Sequence, residues 1–337
     1  MNRFTEATVA LWEKIEPKFV TVNADRLKTI AAANALGDFT LPSWEAPGIL
    51  PRDGHAFTTH VFWHNTVNFS YTNRLPRDEE KATFRKKMGN KTLKGSFAMA
   101  RCFYAAFGEK PIYADDIIAL TDSSDRMKKF FSGLNTMPLI KERRANLRSA
   151  AFALKKGFGG DPWNIVVEGG WRAFAKNGKP GIVDILIGHF PSVFANDKMK
   201  MKQGTAFFYK RAQLFVLQYE GRALASGLRP ISDMNTMGPI ADYELPRSYR
   251  HDGVFRYQKS LETAIRERRP LRPGSRAETE IRLATVWSQV RELETMNALR
   301  KKHGLRPIHL GHLDHIRWKK GRAVKTMPHH LCFSTNY

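Results

Sequence analysis

Cysteine is nearly absent: Cys102 and Cys332 are the only two in 337 residues. Two cysteines cannot build a disulfide framework, and neither sits at zinc-ligand spacing that repeats elsewhere, so a reducing compartment is expected. Long apolar runs are missing too. The N-terminus, Met1-Asn2-Arg3-Phe4-Thr5-Glu6, carries no apolar segment of the secretory kind. The stretch Ile182 to Ile187 is broken by Asp184 and is far too short to span a bilayer. These absences predict a cytoplasmic chain with no membrane partner. The sequence also lacks a Walker A loop, a G-x-G-x-x-G, an H-E-x-x-H and a G-x-S-x-G, so the common nucleotide-binding, zinc-protease and serine-hydrolase signatures are excluded.

Acid is the scarce charge. Asp plus Glu number 32 against 55 Lys plus Arg, a net charge of +23. That balance favours phosphates or nucleic acid as partners. The cations are dispersed, as in Arg85-Lys86-Lys87, Lys198/Lys200/Lys202, Arg266/Arg268/Arg269 and Arg300-Lys301-Lys302. A solvated basic surface therefore stands beside polyanion contact as a reading of the same charge.

What is present is a globular composition, 42% hydrophobic and 11% aromatic, without internal repeats or a Pro/Gly/Ser-rich linker. One continuous domain over 1–337 is expected. The pattern predicts short helices at 4–17 and 24–36, the second capped by Asn23 and stopped by Gly37. A hairpin is expected over 82–95 around Gly89-Asn90. Helices follow at 97–107, 112–121, 124–132, 138–156 and 205–225, while 181–190 is apolar and ambiguous between helix and strand. The clearest element is 276–303. Ser275-Arg276-Ala277-Glu278 reads as a capping box, Leu283, Val286, Val290 and Leu293 mark one face, and Gly304 stops it. The fold class is mainly α.

Two segments are chemically dense. Phe207-Phe208-Tyr209-Lys210-Arg211-Ala212-Gln213 sets two cations beside aromatics, and Ile240-Ala241-Asp242-Tyr243-Glu244-Leu245-Pro246 sets a carboxylate before a proline turn. On composition alone Lys210 reads as a surface lysine and Asp242 as a turn cap. His309, His312 and His315 recur every three residues, but Pro307 and Gly311 interrupt the stretch, so no metal is expected.

In order along the chain these segments resemble the queuosine salvage family, the queuosine-5′-phosphate N-glycosylases. Asn68-Phe69-Ser70-Tyr71 looks like its N-F-S-F-W, and Met137-Pro138-Leu139 to Arg143 resembles its M-P-L-x-x-E-R. Phe208 to Gln213 matches its F-Y-K-R-A-Q, and Ala241-Asp242-Tyr243 with Leu245-Pro246 is similar to its F-A-D-Y-R-x-P. Glu278 to Arg282 matches its E-x-E-I-R, and Leu313-Asp314 with Trp318 resembles its L-D-Y-x-L-W-D. The likeness is clearest over 60–337. It implies a single helical domain distantly similar to helix-hairpin-helix DNA glycosylases, acting on a small-molecule nucleotide 5′-phosphate, with no cofactor and no metal. By the same likeness Asp242 takes the position of the catalytic carboxylate, Lys210 that of the lysine serving the 5′-phosphate, and Asp314 that of an acidic contact to the base. Cleavage of an N-glycosidic bond passes through an oxocarbenium-like sugar that a nearby carboxylate stabilises.

The base-binding positions depart from the family. Ile240 and Tyr243, on either side of Ala241-Asp242, are expected to bind substrate, and Ile240 stands where the family has an aromatic. His315 replaces another aromatic, and Lys319 replaces a second acid. A glycosidase of the same architecture acting on a modified base in DNA or RNA is the alternative, as is a non-catalytic nucleotide- or nucleic-acid-binding protein.

Overall fold

The computed structural model describes residues 1–337. In chain order it contains α1 (Arg3–Lys14), β1 (Val20–Val22), α2 (Ala24–Asn34), α3 (Gly54–Thr66), α4 (Glu79–Ala82), β2 (Arg85–Met88), β3 (Lys91–Lys94) and α5 (Ser96–Phe107). Next come α6 (Ala114–Leu120), α7 (Ser124–Phe130), α8 (Ile140–Phe158), α9 (Trp163–Glu168), α10 (Ile182–His189), β4 (Lys198–Met201), β5 (Gly204–Phe207) and α11 (Lys210–Ser226). The chain closes with α12 (Glu244–His251), β6 (Phe255–Tyr257), α13 (Lys259–Arg266), α14 (Arg276–Lys302) and α15 (Leu310–Ala323). The strands pair only in twos, all antiparallel. The fold is mainly α, and no helix is long and apolar enough to cross a membrane.

Two expectations needed correction. The helix expected over 205–225 is two elements. Thr205 pairs with Lys200 across the β4–β5 hairpin, and the helix starts only at Lys210. The backbone N–H groups of Phe208 and Tyr209 both donate to the Asp197 carbonyl, and Tyr209 takes φ +46°. That conformation cannot continue a right-handed helix. The capping box at α14 is also displaced. Ser275 accepts from the Glu278 N–H, but the Glu278 carboxylate turns back to the Gly274 N–H rather than to that of Ser275. The ambiguous run 181–190 is helix α10, where Asp184 accepts from the Gly181 N–H at 3.2 Å.

The chain folds into two compact units, each assembled from three stretches. Unit 1 comprises Met1–Leu41, Asp197–Lys210 and Asp233–Phe333. Its spine is α14, on which Glu278–Val286 and Ser288–Val290 are buried on every side. A helix surrounded in this way shows little amphipathic bias. Leu11 and Trp12 of α1, Leu27 of α2, Tyr249 of α12 and Leu310 of α15 complete the core around Ile281, Val286 and Val290. Gly321 lets α15 meet the start of α12: a Cβ there would lie 2.1 Å from the Glu244 carbonyl oxygen.

Unit 2 comprises Pro42–Asn196, Arg211–Ser232 and Ser334–Tyr337. Every residue of α3 from Ala56 to Thr66 is buried. The hairpin around Gly89-Asn90 forms as the sequence indicates, with Met88 opposite Lys91. The side chain of Arg143 on α8 is fully buried and donates to the carbonyls of Pro138, Val67, Phe69 and Ser70.

Candidate active site

Three of the site residues expected from the sequence converge within unit 1. Lys210, the first residue of α11, brings its ammonium 3.0 Å from the Asp242 carboxylate, and the two side chains are only 3% and 11% exposed. Asp242 has two tasks. Its Oδ2 meets Lys210, while its Oδ1 accepts from the Glu244 N–H at 2.9 Å and so tethers the start of α12. The turn-cap role and the charged role occupy different oxygens of one carboxylate. Asp314, buried on α15, accepts from the Ile240 N–H at 3.2 Å. Burial and the neighbouring Asp242 charge hold the Asp314 carboxyl well above the usual carboxylate range, against the opposing influence of the Ile240 N–H, Gln289 and Lys210. Two carboxyl groups thus sit together in unlike surroundings: Asp242 beside the Lys210 ammonium, Asp314 desolvated on α15 with its pKa pushed up.

The rest of the expected set is placed differently. Ile240 contributes its backbone N–H, and its side chain is buried. The Tyr243 ring lies 4.3 Å from the His329 ring at 31°. His315 is half-buried and stacks toward Trp318 on α15, where burial and the Lys319 charge lower its pKa. Lys319 is exposed. His309 and His312 spend ring nitrogens on the start of α15, accepting from the Gly311 and His309 N–H groups respectively.

Sequence reasoning missed what holds Lys210 in place. Its backbone N–H donates to Asp197 Oδ2 at 2.9 Å. Arg282 grips the same carboxylate with two bonds of 2.6 and 3.0 Å, and its guanidinium stacks 3.8 Å over the Phe208 ring. A bidentate buried pair of this kind fixes geometry as well as charge. Arg282 was visible as the last residue of the E-T-E-I-R motif, but Asp197 sits among lysines with nothing local to mark it. Gln289 on α14, fully buried beside Asp314, was also unmarked.

Comparison with known proteins bears on this cluster. The model of the queuosine salvage protein family matches residues 50–337. Three proteins named queuosine 5′-phosphate N-glycosylase/hydrolase are similar to the chain. The one from Sphaerobacter thermophilus is 27% identical over 331 residues, 98% of this chain and 94% of its own length. The Dictyostelium discoideum protein is 28% identical over 226 residues, 66% of this chain and 65% of its own. The Bos taurus protein is 27% identical over 267 residues, 78% of this chain and 75% of its own. With the match running from residue 50 to residue 337, the chain belongs to the queuosine salvage protein family.

Proposed function

We propose that this chain hydrolyses the N-glycosidic bond of queuosine 5′-phosphate, releasing the free base and ribose 5-phosphate. The observation that carries the reading is the Lys210–Asp242–Asp314 cluster, in which one carboxylate faces a buried ammonium and the other is buried against the Ile240 N–H. As the C1′–N bond stretches, positive charge develops on the sugar, and the Asp242 carboxylate is the group to stabilise it and to orient the water that adds at C1′. A 7-deazapurine leaving group has no N7 to protonate, so its electrons must be received at the oxygen or the pyrimidine-ring nitrogens. Neutral Asp314 is the local proton donor for that edge. The resemblance assigns Lys210 to the 5′-phosphate, and its ammonium has three N–H groups with which to serve both phosphate and Asp242. The two buried free cysteines fit a cytoplasmic location.

The test is incubation with queuosine 5′-phosphate and mass spectrometry of the products. Free queuine and ribose 5-phosphate in equal amounts are expected, and an intact nucleotide would overturn the reading. The net charge of +23 favours one further reading, the same chemistry on a modified base within RNA or DNA. Release of base from a polynucleotide faster than from the mononucleotide would establish it.

A further inference from the structure

Unit 1 also holds a recess of about 470 Å³, which neither Lys210, Asp242 nor Asp314 lines. Its walls come from three places: the segment after α1, the β4–β5 hairpin and the start of α14. Lys18, Lys200, Lys202 and Arg276 face Glu16 as the sole acid of the lining. Strand geometry accounts for the lysines. Along Lys198-Met199-Lys200-Met201 side chains alternate. Met199 and Met201 pack on the core of unit 1, which leaves Lys200 on the solvent side, and Lys202 follows in the turn.

The wall is fixed rather than loose. The N–H groups of Lys18 and Phe19 donate to the Glu280 carboxylate at 3.0 and 2.7 Å. Arg276 pairs with that carboxylate and donates to the Glu16 carbonyl at 2.8 Å. Arg276 is therefore neutralised from within, whereas Lys18, Lys200 and Lys202 are exposed and make no ion pair. Like charges held around one concavity repel unless an anion enters, and the N-terminal end of the long α14 adds to the positive field. Cations contributed by separate segments match a ligand with more than one anionic group. The volume lies within the range of roughly 300–1,000 Å³ common to small-ligand sites.

We propose that this recess is a second phosphate-binding site, taking the phosphate groups of either a small diphosphate or a short RNA strand. Its occupancy is read by binding, so it stands or falls independently of the hydrolytic reading. The two probes are inorganic pyrophosphate, followed by calorimetry, and a fluorescent oligouridylate, followed by anisotropy. Lys200→Glu with Lys202→Glu is compared with Lys301→Glu plus Lys302→Glu, an equal charge change on exposed residues at the far end of α14. The recess variant should bind at least one probe about tenfold more weakly, and the control variant by less than about threefold. If the strand is the ligand, the slope of log K against log salt should fall by about 1.4, since each single-strand phosphate contact contributes about 0.7. Loss confined to pyrophosphate identifies a small diphosphate, and loss confined to the oligomer identifies a strand. Melting temperature checks that the variants fold, and Lys200→Ala with Lys202→Ala repeats the test with a milder change. Equal losses in recess and control variants, or no binding of either probe to the wild type, overturn the proposal.

Discussion

Arg143 and Arg211 in unit 2 and the cations around the Lys210 cluster in unit 1 are all buried, and they are satisfied by different means. In unit 2, Arg143 donates to the carbonyls of Pro138, Val67, Phe69 and Ser70 and lies 4.4 Å over the Phe69 ring. Arg211 follows the same pattern at the carbonyls of Asn65, Thr66 and Val193. Around the cluster in unit 1 the partners are carboxylates: Asp242 for Lys210, Asp197 for Arg282, and Glu292 with Asp252 for Arg317. A neutral carbonyl has no proton to exchange, so hydrogen bonds of this kind clamp loops. A cation held by a carboxylate sets that carboxylate's charge, and a second carboxyl nearby then feels it. The same residue types clamp loops at Arg143 and, in the function proposed above, set acid–base groups around Lys210.

The largest effect expected from this contrast is at Asp242. Asp242→Asn keeps an oxygen for the Glu244 N–H but removes the carboxylate that faces the buried Lys210 ammonium, so the melting temperature should fall while the fold is retained. The charge is lost, and kcat should fall by about 10² to 10⁴, the scale of removing one preorganised electrostatic group. A near-wild-type kcat would reduce Asp242 to the turn cap that composition alone allowed.

Asp314 comes next. Asp314→Asn removes the proton and should cut kcat by about 10². The stability of the variant is a sharper test. The folded carboxyl is raised above its unfolded value, so the unfolded chain releases its proton first as pH increases. The stabilisation from the neutral form is complete below the ordinary carboxylate range and is lost as pH rises from there toward the raised value. Thermal melts of the wild type should fall across that window relative to Asp314→Asn. Parallel curves for the two proteins would show that the carboxyl is not held neutral.

Lys210→Ala separates two roles for one ammonium. Loss of the Asp242 partner should lower kcat about tenfold on queuosine 5′-phosphate and on queuosine alike, since one charge-assisted bond to a reacting group is removed. A phosphate contact adds a rise in KM confined to the nucleotide. An unchanged ratio of the two KM values would restrict Lys210 to holding Asp242. In unit 2, Arg143→Met should do the reverse. It strands buried carbonyls at a cost of about 3 kcal/mol or more, read as a lower melting temperature, while kcat below the melt stays within about twofold.

Local chemistry made part of this visible in the sequence. The Gly89-Asn90 turn and the Ser275 cap of α14 are decided by neighbours a few residues apart. Lys210, Asp242 and Asp314 stood out because each lies in a short dense segment. What stayed hidden depends on distant contacts. Asp197 meets Arg282 across 85 positions of sequence. Ser70, Leu139 and Tyr209 adopt φ of +41°, +53° and +46°, each inside a segment that carries the family resemblance. A non-glycine residue in that region costs about 1–3 kcal/mol and persists only where its surroundings impose it. No propensity scale shows that, and it is why the helix expected from residue 205 begins at Lys210.

The smallest effect is expected at Lys319, where the resemblance implies an inverted charge in the base site. Asp314 is buried on α15, but Lys319 is exposed, and five residues of helix turn it about 140° away. A solvated charge at ~8 Å contributes about 0.5 kcal/mol in water, and a Debye length of ~8 Å at physiological salt reduces it further. Lys319→Asp should therefore change kcat/KM on queuosine 5′-phosphate by no more than about threefold at pH 8. The change should grow toward acid pH by way of His315. Burial and the Lys319 charge both lower the His315 pKa, so an aspartate at 319 lets the ring hold a proton to higher pH. A base preference altered more than about tenfold at pH 8, with His315 neutral, would put the 319 side chain against the base. The carboxylate-and-cation chemistry of unit 1 would then extend along the flank of α15 and not end at Asp314.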